Sequence, residues 1–114
     1  MRFTYAIKFV ANMDRAVAFY RDTLGLSLKF ASPEWSEFDT GATTLALHLA
    51  SAANPPGTVE LGFGVRDLQQ FYQDKTRIGV QFTMPPTKQD FGGMLAQFVD
   101  SEGSRASVSG EESR

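Results

Sequence analysis

Residues 9–26, FVANMDRAVAFYRDTLGL, constrain the fold more than any other stretch of this chain. Asn12 is placed to cap a helix, because its side-chain oxygen can accept an otherwise unpaired N–H of the first turn. Asp14 complements the positive end of the helix dipole. Met13, Ala16, Val17, Tyr20 and Leu24 recur at spacings of three and four and draw one apolar stripe. Gly25 is suited to end the helix, since a left-handed residue costs least there. Such a stripe has to be buried against another layer, and the flanking segments alternate as strands do.

Residues 3–10 put Phe3, Tyr5, Ile7 and Phe9 on one face and Thr4, Ala6, Lys8 and Val10 on the other. Lys8 fits poorly on a helix-facing side. Strands are expected at 26–30, 35–39 and 44–50. In the last of these Leu45, Leu47 and Leu49 form a core face. Thr44, Ala46, His48 and Ala50 form a smaller, more polar face of the kind that walls a site. Trp35 and Phe38 are placed near the mouth of a cavity. The stretch 51–57, SAANPPG, reads as a linker, because Pro55 and Pro56 cannot donate ladder hydrogen bonds.

Beyond the linker the pattern recurs. Superposing Val10 on Val65 sets Tyr5 opposite Glu60, Asn12 opposite Asp67 and Met13 opposite Leu68. A strand at 59–65 leads to a helix capped by Asp67, with Leu68, Phe71 and Tyr72 facing inward and Gly79 closing it. Strands follow at 80–84, 87–91, 94–100 and 104–108. Pro85-Pro86 is expected to break the first from the second, and Gly92-Gly93 to make a hairpin turn. An offset of half the chain means duplication of one βαβββ unit rather than a solenoid. The expected fold is α+β, with two βαβββ modules forming a curled mixed sheet around a cleft and helices outside. Module one spans 1–53 and module two 57–109, in a single domain 1–114 with a frayed tail at 110–114.

Composition narrows the function. The chain has no cysteine, which removes disulfides, thiolate nucleophiles and sulfur-ligated metals. A net charge of −2 speaks against nucleic acid as a partner, since backbone binding needs a cationic surface. No apolar run approaches the ~20 residues of a membrane span, and the first ten residues alternate like a strand rather than a signal peptide. A cytoplasmic protein is expected. A homodimer is expected too, because exposed sheet edges need cover; size-exclusion chromatography checks this. Ten phenylalanines are many for 114 residues, and some of them are candidates to line an apolar cavity.

The run Val10-x-Asn12-Met13-x-Arg15-Ala16-x-x-Phe19-Tyr20-x-x-x-Leu24-Gly25-Leu26 resembles the opening signature of the vicinal oxygen chelate superfamily. That superfamily includes glyoxalase I, bleomycin-resistance proteins and extradiol dioxygenases. The stretch Phe98-Val99-Asp100-Ser101-Glu102-Gly103-Ser104 is similar to a late turn of the same family, with serine in place of its proline. The resemblance implies a divalent metal held by His, Glu or Gln at four fixed positions, where it would act as a Lewis acid. Here those positions carry Tyr5, Ala46, Glu60 and Ser107. Only Glu60 is a natural ligand, and one carboxylate does not make a divalent site. His48, two residues from Ala46 on the same face, could join Glu60 as an alternative pair of metal ligands.

Two functions follow. The first is a small-molecule-binding protein, as in the bleomycin-resistance branch, with a metal-free aromatic pocket and no cofactor. Its ligand-binding residues would be Tyr5, Ile7, Trp35, Phe38, His48, Glu60 and Phe63. The second is a divalent-metal-dependent lyase, isomerase or dioxygenase with a non-standard ligand set. Glu60 is the candidate general base, because burial would raise its pKa. Whether the protein is an enzyme stays open at this point. Gly62-x-Gly64 lacks the third, helix-opening glycine of a dinucleotide site.

Overall fold

The computed structural model describes residues 1–90 and 92–110. Residues 111–114 of the expected 110–114 tail, and Phe91 at the end of the expected 87–91 strand, lie outside them, whereas Gly110 belongs to the last strand. The chain forms two compact units. One is Thr4–Val59, and the other joins Met1–Phe3 to the chain from Glu60 onward. The boundary falls just after the proline-containing linker.

The N-terminal unit contains β1 (Arg2–Val10), α1 (Met13–Ala18), β2 (Ser27–Phe30), β3 (Trp35–Asp39) and β4 (Thr44–Leu49). Its strands lie in the order β2-β3-β4-β1, with β1 parallel to β4 and the other pairs antiparallel. The Asn12 side chain accepts from the Arg15 N–H at 3.0 Å, which makes it the expected cap. Met13 and Val17 bury against Phe38 and Leu47, with Val10, Ala16, Tyr20, Leu26, Leu28 and Leu45 around them.

The helix does not continue regularly to Gly25. Residues Phe19–Thr23 form a π-helical turn, in which the Leu24 N–H bonds the Phe19 carbonyl at 3.0 Å. The wider turn shifts the phase of the stripe. Leu24, expected inside, is 55% exposed, and Leu26 packs on the core instead. Gly25 then takes φ +78°, the left-handed conformation expected of it. Lys8 also finds its account, since its Nζ donates to the Gly57 carbonyl at 3.2 Å and ties the linker to β1.

The C-terminal unit repeats the topology with β5 (Val59–Val65), α2 (Leu68–Arg77), β6 (Phe82–Lys88), β7 (Met94–Val99) and β8 (Arg105–Gly110). Its order is β5-β8-β7-β6, with β5 parallel to β8. Asp67 caps α2 by accepting from the Gln70 N–H at 3.0 Å. Leu68, Val65, Ala96 and Val108 form the core, with Phe63, Phe71, Phe82, Met94 and Phe98 packed on it. The expected break at Pro85-Pro86 does not occur, and β6 runs through both prolines. It can do so because it ends the strand order of its unit and shifts register between Phe82 and Met84 and again between Met84 and Thr87. The last strand, expected at 104–108, runs to Gly110. Asp100 Oδ1 holds the turn before it, accepting from the Glu102 and Ser104 N–H groups at 2.8 and 3.0 Å.

Candidate ligand-binding face

In the N-terminal unit, the sheet face opposite α1 gathers aromatic and ionisable side chains. Register sets it out in two rows. Ile7, Ala46 and Glu37 lie side by side across β1, β4 and β3. Phe9, His48 and Trp35 form the next row. Ile7, Phe9 and Ala46 are buried, and Tyr5, Trp35 and Ala50 pack against them. The rings meet in sequence, with centroids 6.1 Å apart for Tyr5 and Trp35, 5.6 Å for Trp35 and His48, and 5.3 Å for Phe9 and His48.

Glu37 sits inside this aromatic surface at 8% exposure. The Trp35 Nε1–H donates to its Oε2 at 2.8 Å, and the Tyr5 hydroxyl reaches the same oxygen at 3.5 Å. Its Oε1 lies 3.7 Å from Lys29 Nζ. Lys29 gets there because β2 shifts register between Leu28 and Phe30, where it is the extra residue of a bulge. Burial, and then the charge and hydrogen-bonding of Glu37, hold the Tyr5 phenol above its ordinary value of 10.0. His48 Nδ1 lies 2.8 Å from the carbonyl of Leu49, which a protonated Nδ1 would satisfy.

The C-terminal unit carries Glu60, likewise 8% exposed. Arg105 Nε donates to its Oε1 at 3.2 Å. Register puts Ser107 beside Gly62 and Gln97, so Glu60, Arg105, Ser107 and Gln97 share one face.

Tyr5, Ile7, Trp35 and His48 are thus brought together. Three expected members are not in this group: Glu60 lies in the C-terminal unit, paired with Arg105, and two phenylalanines face the helix-side cores. Phe38 is fully buried in the core under α1, with its ring 5.9 Å from that of Tyr20. Phe63 packs on the core under α2, 6.5 Å from Phe98. Each lies three residues along a strand from Trp35 or Glu60, and an odd spacing in a strand means the opposite face. The same rule would have found Glu37, which alternation places beside Trp35 on the site face.

The donor set does not suit a divalent ion in the way the resemblance implies. Ala46 offers no donor atom and is fully buried. The Tyr5 hydroxyl is turned to Glu37, and Glu60 is paired with Arg105. Among the described residues no three His, Asp or Glu side chains gather as such a site needs.

A family profile described as Glyoxalase/Bleomycin resistance protein/Dioxygenase superfamily matches residues 2–108. The chain belongs to that superfamily. Solved structures resemble it over nearly their whole length. A hypothetical protein from Bacillus halodurans superposes with TM-score 0.84 at 15% identity, covering 99% of this chain and 96% of that one. A methylmalonyl-CoA epimerase variant from Streptomyces coelicolor, in complex with 2-nitronate-propionyl-CoA, gives 0.79 at 18%, covering 100% and 97%. A protein from Legionella pneumophila described as NAD-dependent benzaldehyde dehydrogenase gives 0.75 at 22%, covering 92% and 96%. Relatives this distant share the fold, and the fold alone carries no activity. No match was found among curated protein sequences. No helix among the described residues is long and apolar enough to cross a membrane.

Proposed function

We propose that this protein binds an aromatic or amphipathic small molecule, without a metal, on the sheet face opposite α1 in its N-terminal unit. The observation that carries the reading is the Tyr5–Trp35–His48 ring surface laid around Ala46, at a position where the resemblance implies a metal ligand. Aromatic walls with a few oriented polar groups are what small-molecule sites are made of. The substitution of alanine for a donor removes what the superfamily's enzymes would use for Lewis-acid chemistry. Binding rather than turnover is also in keeping with the bleomycin-resistance branch.

Trp35 is the only tryptophan, so its emission reports on this face alone. A panel of cationic and neutral aromatic compounds is expected to quench or shift that emission in a saturable way. Unchanged emission across the panel would sink the reading. A rise in melting temperature with nickel, zinc, manganese or iron that is lost in His48→Ala would instead favour a metal-dependent enzyme.

A further inference from the structure

We infer that Glu37 selects a cationic ligand, so that the molecule bound on this face carries an alkylated ammonium or similar weakly hydrated cation beside its apolar part. The inference rests on the proposed binding face and names the chemical class that face would take.

Glu37 is a carboxylate held in an apolar surface. Burying a charge there is costly unless it is partnered, and the partners are unequal. Oε2 is fixed by the indole N–H of Trp35 at 2.8 Å and approached by the Tyr5 hydroxyl at 3.5 Å. Both donors are neutral and leave the negative charge in place. Oε1 is faced by Lys29 at 3.7 Å, which is longer than a hydrogen bond. The Lys29 side chain is 52% exposed, on the bulge of a strand that ends the order of its unit. A pair this open contributes little and exchanges readily.

Glu37 is therefore held at Oε2 by neutral donors, and the cation at its Oε1 is the exposed, displaceable Lys29. The rings beside it extend the argument. Tyr5 and Trp35 are the two whose faces attract cations best, and they stand next to the carboxylate with centroids 6.1 Å apart. A carboxylate bordered by electron-rich rings recognises a cation with apolar substituents better than a strongly hydrated ammonium. The resident Lys29 is of the second kind.

The test is titration of Trp35 emission with benzyltrimethylammonium, benzyl alcohol and benzoate, three probes that share a ring and differ in charge. The expected result is at least tenfold tighter binding of benzyltrimethylammonium than of benzyl alcohol, with benzoate weakest. Glu37→Gln keeps an acceptor for Trp35 and is expected to erase the preference for benzyltrimethylammonium over benzyl alcohol. Lys29→Met removes the competing cation from the surface and is expected to tighten the cation several-fold. Equal binding of the three probes, or a preference that survives Glu37→Gln with an unchanged melting temperature, overturns the inference and leaves the binding face standing. Looser cation binding in Lys29→Met also overturns it, and it does so without touching a buried residue. Absence of any response to all three probes removes the binding face and the inference together.

Discussion

The two units are built to one plan and differ in what they do with a buried glutamate. Each has a parallel pair of strands, an antiparallel pair on the far side and an Asx-capped helix over one face. Each places a glutamate of 8% exposure on the opposite face. In the C-terminal unit a guanidinium lies against Glu60, with Nε 3.2 Å from the carboxylate. In the N-terminal unit Glu37 is held by an indole and a phenol, and the Lys29 ammonium stands back at 3.7 Å. The same backbone therefore supports an internally neutralised carboxylate in one copy and a neutral-donor cradle in the other. A duplicated fold can keep its frame while its two copies diverge on the other face, because the frame is made by the helix-facing cores.

The helices show a second contrast. α2 runs unbroken for ten residues, whereas α1 gives way after six to a π-helical turn. After α1 that turn exchanges Leu24 for Leu26 in the core.

The largest expected effect tests whether the helix-facing cores make the frame. Phe38→Ala empties a fully buried site and should cost about 3–5 kcal/mol, read by denaturant unfolding. Phe63→Ala, at a partly buried position on the C-terminal core, should cost less. A small loss at Phe38 would return it to the ligand-facing side.

Next comes the difference between the two glutamates. Arg105→Ala leaves Glu60 buried without its guanidinium and should destabilise by about 1–3 kcal/mol. Lys29→Ala removes an exposed, distant partner and should change stability by less than about 0.5 kcal/mol. Equal losses would erase the distinction between a neutralised and an open carboxylate.

The smallest effect is the pH response of Tyr5. Its folded pKa is raised by burial and by Glu37, so its contribution to stability is fully present below the unfolded value of 10.0 and is lost as pH rises through the folded value. Absorbance titration should therefore show the Tyr5 transition above pH 10, identified as the one absent in Tyr5→Phe, and Glu37→Gln should lower its midpoint. An unmoved midpoint would mean that Glu37 does not act on the phenol.

Much of this was legible in the chain. Asn12 and Asp67 announce their helices because a cap is a local hydrogen bond between residues three apart. The repeat of Val10 at Val65, the turn at Gly25 and the strands of both units follow from periods and turn chemistry that depend on near neighbours. The face shared by Tyr5, Ile7 and His48 follows from alternation, and alternation also corrects Phe38 and Phe63. The rest depended on register between segments. Nothing local sets Glu37 beside Ala46, brings the Lys29 bulge to its carboxylate, or pairs Glu60 with an arginine 45 positions away. Local periodicity decides which way a side chain points, because a strand or helix imposes it on every residue. Only the packed sheet decides which side chain it meets, because strand pairing is bought with contacts from distant parts of the chain, and those contacts set an arginine against one glutamate and neutral donors with a more distant lysine against the other.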